Sequence, residues 1–69
     1  MAENFGSYII EVVRLGNQVK VTACEPESGV EASIITPLTA THKERTDLAI
    51  KKLQYVLRKK TEEGNDDLV

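Results

Sequence analysis

The sequence is poor in the residues that most chemistry needs. Tryptophan is absent, and cysteine, histidine, phenylalanine and methionine each occur once in 69 residues. With Cys24 as the sole thiol, no disulfide can form within the chain. His42 has no second histidine or cysteine near it, which excludes the usual zinc ligand sets. The aromatics are Phe5, Tyr8 and Tyr55, too few for a base-stacking platform of the single-strand binders. Four glycines are scattered, so neither a P-loop nor a dinucleotide-binding fingerprint can be written. No run of about 20 apolar residues offers a membrane span, and no signal-peptide pattern is seen. The net charge of −2 lacks the basic excess that wholesale binding to nucleic acid or membrane requires.

What remains is patterned. At this length one domain is the limit, and its single core is barely sufficient. Residues 1–7, MAENFGS, carry no periodic signal and read as a flexible lead-in. YIIEVVRL, from Tyr8 to Leu15, is rich in β-branched residues and reads as a strand. Gly16-Asn17 fits a two-residue hairpin loop, with glycine first as a type II′ turn prefers. QVKVTACE, from Gln18 to Glu25, alternates apolar and polar, as a half-buried strand does. Pro26-Glu27-Ser28-Gly29 is a turn, and VEASIIT, from Val30 to Thr36, is a strand stopped by Pro37.

The two turns set registers that can be compared. Leu15 opposite Gln18 puts Val12 opposite Val21 and Ile10 opposite Ala23. Glu25 opposite Val30 puts Val21 opposite Ile34 and Ala23 opposite Ala32. Both hairpins thus gather the same second-strand residues on one face, whereas a slip of one residue would flip a strand. Thr41-His42-Lys43-Glu44 matches a capping box. After it, Ala49, Ile50, Leu53, Val56 and Leu57 form an apolar helical stripe. The expected fold is α+β: a three-stranded antiparallel meander with one long C-terminal helix packed on one face. Its unit is 8–61; the helix is expected to fray near Thr61, and 62–69 reads as a disordered acidic tail.

These segments have a familiar order. “RLGNQVKV”, then “PESGVEASI”, then a capped helix with “LAIKKLQYVLRKK”, resembles a family of short uncharacterised proteins from alphaproteobacteria. In that family a segment like I-G-x-x-V-K-V-x-A precedes P-x-x-G-x-E-x-S-I, and a basic L-x-x-K-L-x-Y-V-L helix completes the unit. The resemblance covers roughly residues 8–60. Its motifs are turns, strands and a helix. It implies a compact β-β-β-α domain in a bacterial cytoplasm, and it carries over no catalytic residue and no substrate. Cys24 and Leu15 depart from the family pattern.

Each candidate for chemistry has a plainer alternative. Cys24 falls opposite Glu31, whose carboxylate would raise a thiol pKa, so a packing role is preferred. His42 lies in the first helical turn, where the dipole disfavours its cation. Glu11, Thr22 and Ser33 form a polar row that could meet a ligand or water alike. Grouping Ser33, His42 and Glu11 as a triad has no G-x-S-x-G motif behind it. The expectation is a protein without catalytic residues, cofactor or metal.

Two surfaces remain. Ile9, Val13, Leu15 and Ile35 lie on the sheet face away from the helix, and Leu48 and Tyr55 form a minor helical stripe. These six residues are the expected protein interface, for a homodimer or another protein. Lys51, Lys52, Arg58, Lys59 and Lys60 crowd the C-terminal half of the helix. They suit the dipole there, and they are the alternative reading, a weak RNA-binding surface, with nucleic acid the less favoured partner. A soluble cytoplasmic protein with a reduced thiol, off the membrane, is expected.

Overall fold

In a computed structural model, residues 2–5 and 8–66 are described, with side chains for 8–60. Four strands and a helix follow one another: β1 Ala2–Phe5, β2 Tyr8–Leu15, β3 Gln18–Glu25, β4 Val30–Pro37 and α1 His42–Asp66. The strands form one antiparallel sheet in the order β1-β2-β3-β4. The fold is α+β, with the helix lying against β3 and β4.

Both hairpins have the expected register. Leu15 faces Gln18, Val12 faces Val21 and Ile10 faces Ala23. Glu25 faces Val30, Val21 faces Ile34 and Ala23 faces Ala32. Gly16 has φ 62°, and among the described residues none other than glycine has positive φ, which matches a type II′ turn with glycine first. In the second loop Gly29 takes φ 74° and donates its N–H to the Glu25 carbonyl at 2.9 Å. The Glu25 carboxylate accepts from the N–H groups of Glu27 and Ser28, at 2.9 and 2.8 Å. A hydrogen bond from the Ser28 side chain, then these backbone donors, hold its pKa below the ordinary value.

The helix begins with a complete capping box. Thr41 Oγ1 accepts from the Glu44 N–H at 3.1 Å, and Glu44 Oε1 accepts from the Thr41 N–H at 2.8 Å. The Thr41 N–H, and then its side chain, lower the pKa of Glu44.

The core is one cluster. Ile10, Val19, Val21, Ala23 and Ala32 from the sheet meet Ala49 and Leu53 from the helix. Val12, Ile34, Ile50, Val56 and Leu57 pack against them, half-buried. Two polar residues are buried with this cluster, Thr36 and Thr46. Thr36 is served by Arg45, whose Nε donates to Thr36 Oγ1 at 3.1 Å. Arg45 also donates from its terminal nitrogen to the carbonyls of Leu38 at 3.0 Å and Pro37 at 3.5 Å. One guanidinium thereby ties the first turns of α1 to the end of β4.

Thr46 differs: among the described residues its buried Oγ1 has no hydrogen-bond partner. A buried hydroxyl without a partner carries a desolvation cost of about 1–3 kcal/mol. Valine has the same branched shape and a similar helix propensity. Thr46→Val should therefore stabilise the fold by about 1 kcal/mol. Urea unfolding of the two proteins checks this; a lower midpoint for the variant would mean that the hydroxyl has a partner, such as buried water.

The chain departs from the sequence reading at both ends. Ala2–Phe5, read as a lead-in, is a strand paired antiparallel with Tyr8–Glu11. Side-chain alternation is what a sequence displays, whereas an edge strand can be held by backbone hydrogen bonds alone. The helix passes the expected fraying point at Thr61 and continues to Asp66, through Gly64. Glycine costs a helix only about 1 kcal/mol against alanine, and propagation is cheap once a helix is nucleated. Residues 1, 6 and 7 of the expected lead-in, and 67–69 of the expected tail, lie outside the described residues.

Candidate interaction surface

The registers place the outer face of the sheet row by row. Ile9, Cys24 and Glu31 form one row, and Glu11, Thr22 and Ser33 the next. Val13, Lys20 and Ile35 follow, then Leu15, Gln18 and Pro37. α1 packs on the opposite face, so no other described element lies across these rows. Val13 is 42% exposed, Leu15 49% and Ile35 52%. Ile9 is exposed on the same face, beyond the Glu11-Thr22-Ser33 row. The expected polar row is present, with Thr22 Oγ1 and Ser33 Oγ 2.8 Å apart in a hydrogen bond. Cys24 stands opposite Glu31 in this face, half-buried.

The other proposed stripe lies on the far side of the molecule. Leu48 and Tyr55 are exposed on the helix. They do not adjoin the sheet patch, so the six residues divide into two surfaces. Arg58 lies over the Tyr55 ring, 5.9 Å from its centroid, and covers part of that stripe. Leu38, in the connection before α1, is also exposed, and sequence reasoning had not singled it out. It belongs to no periodic segment, so no pattern marked it.

Two of the five basic residues already have contacts within the chain. Lys51, Lys52, Arg58, Lys59 and Lys60 are all exposed. Lys52 Nζ donates to the Ser33 carbonyl at 2.7 Å. Arg58 is engaged with Tyr55. The Lys52 contact has a structural meaning. A two-residue hairpin makes Leu15 and Gln18 a hydrogen-bonded pair, and such pairs alternate along antiparallel strands. Val19, Val21 and Ala23 then bond to β4, so Glu31, Ser33 and Ile35 turn their backbone groups to its free edge. Lys52 occupies one of these edge acceptors. Pro37, also turned outward, has no N–H to offer there. The β4 edge is thus partly closed to another strand.

Among the described residues no group of three or more His, Cys, Asp or Glu could hold a metal ion. His42 is exposed in the first turn of α1, on the layer opposite the Glu11-Thr22-Ser33 row. No described helix is long and apolar enough to cross a membrane.

A family model described as a domain of unknown function, DUF6898, matches residues 6–60. The chain belongs to this family. Neither a curated protein nor a solved structure matches it. The DUF6898 match takes in the three long strands and the helix residues that pack on them, Ala49 to Leu57.

Proposed function

We propose that this DUF6898 protein is a small non-enzymatic interaction protein whose binding surface is the outer face of its sheet. One observation carries the reading: Val13, Leu15 and Ile35 are about half exposed on a face that no described element covers. An antiparallel sheet can keep one wet face, but that face is then normally polar. Here apolar residues flank Lys20 on both sides. Several half-exposed apolar residues on one face of a small chain favour association there. A bacterial, cytoplasmic setting fits the single half-buried thiol. The nucleic-acid reading has less behind it, because Lys52 and Arg58 are already engaged within the chain.

The test is the double variant Val13→Thr/Ile35→Thr. Threonine keeps the strand propensity and removes apolar surface. Mass in solution, and the proteins retained from a bacterial lysate, are compared with the parent chain. The expected result is an unchanged circular dichroism spectrum with loss of the second copy or of a retained protein. Identical behaviour in both assays sinks the reading.

A further inference from the structure

Resting on the reading above, we infer that the occupant of the outer sheet face is a second copy of this chain, placed by a two-fold axis that sets Lys20 of each copy against the partner's Glu11. The face carries this geometry in its register. Glu11 pairs with Thr22, and Lys20 with Val13, so the two charges sit on adjacent strands one row apart. Both are exposed, and among the described residues neither has an ion-pair partner.

Consider an axis lying in the plane of the face and passing midway between them, perpendicular to the line that joins them. It exchanges the two positions and forms two symmetry-related Lys20–Glu11 pairs. With ideal spacings of about 4.8 Å between strands and 6.7 Å between rows, the same operation sets Val13 near the partner's Val13 and Ile35 over the partner's Ile9. Opposite charges and apolar residues therefore match under one operation. The obvious alternative, an axis along β3, stacks Lys20 on the partner's Lys20 and fails on charge. In the favoured arrangement the strands of the two sheets cross at roughly 70°, nearer the orthogonal than the aligned class of sheet packing.

The helix stripe is as exposed as the sheet face but offers only two apolar residues, Leu48 and Tyr55. Lys52 and Pro37 obstruct the β4 edge, and Arg58 lies over one side of the Tyr55 ring on the helix. Area sets the strength. Three long strands of eight residues present a face of about 14 by 27 Å; crossed at roughly 70°, two such faces overlap over about half their length, so two copies bury on the order of 400–500 Å2. Stable specific interfaces bury more than twice this area, which predicts a weak dimer that forms only at high protein concentration.

The experiment is a charge exchange on the full chain, read by sedimentation equilibrium over a wide concentration range. The wild type should self-associate. Lys20→Glu and Glu11→Lys should each weaken the dimer at least tenfold, because each sets like charges together. The double exchange Lys20→Glu/Glu11→Lys should recover most of the affinity. Each variant is first checked for native circular dichroism; if a reversal unfolds the chain, Lys20→Gln and Glu11→Gln take its place and should weaken the dimer. A wild type that stays monomeric, single variants of unchanged affinity, or a double exchange without recovery overturns the inference. A monomer that still retains a lysate protein through Val13 and Ile35 would overturn this inference alone and leave the interaction reading standing.

Discussion

Leu53→Ala should lower the urea midpoint so far that much of the chain is unfolded at 25 °C. Leu53 is 0% exposed and lies at the centre of the helix–sheet contact. Truncating a buried leucine costs about 2–5 kcal/mol, the larger values arising where the surroundings cannot collapse into the gap. Collapse is difficult here. The floor beneath Leu53 is a hydrogen-bonded sheet, and the neighbouring core residues Ala23, Ala32 and Ala49 are already small. A domain of this size has little stability in reserve. Leu48→Ala is the control. It removes the same atoms from the same helix at a position 50% exposed, and it should change the midpoint only slightly. Equal midpoints for the two variants would mean that the helix is not held to the sheet through Leu53.

Arg45→Ala should cost about 2–3 kcal/mol. A partly exposed arginine on a helix is usually replaceable, but this one makes three hydrogen bonds, to Thr36 Oγ1 and to the carbonyls of Leu38 and Pro37. Its loss strands the hydroxyl of Thr36, which is buried. Arg45→Lys should recover only part of the loss, since one ammonium cannot reproduce the planar fork. A double-mutant cycle with Thr36→Val isolates the side-chain bond. If Arg45→Ala costs the same with threonine or valine at position 36, that bond contributes nothing, and the carbonyl contacts alone account for the loss.

These two residues illustrate what could be read in advance. Leu53 stands out in the sequence, because apolar periodicity marks the helix face that must be buried. Arg45 does not. It sits among charged residues in HKER, and its partner Thr36 looks like the polar end of a strand. Only the approach of α1 to the end of β4 brings a guanidinium to that hydroxyl. Thr46 was hidden for the same reason: it occupies the buried stripe, but a hydroxyl carries no hydrophobic signal.

The interaction surface divides in the same way. The exposed residues Ile9, Val13, Leu15 and Ile35 follow from two-residue alternation once the hairpin registers are set. That Leu48 and Tyr55 form a separate surface, partly covered by Arg58, depends on which side of the sheet the helix chooses.

By itself the sequence determined the local order of this protein. Glycine and proline at two loops set the turns, the turns set the registers, and a capping box set where the helix begins. Those are short-range steric and hydrogen-bonding choices, settled within a few residues. The tertiary structure alone decided the rest: β1 added at the sheet edge, Arg45 bound across nine residues to Thr36, and Lys52 laid on the Ser33 carbonyl. Each depends on backbone groups or polar side chains meeting in space, and residue type does not advertise such meetings along the chain.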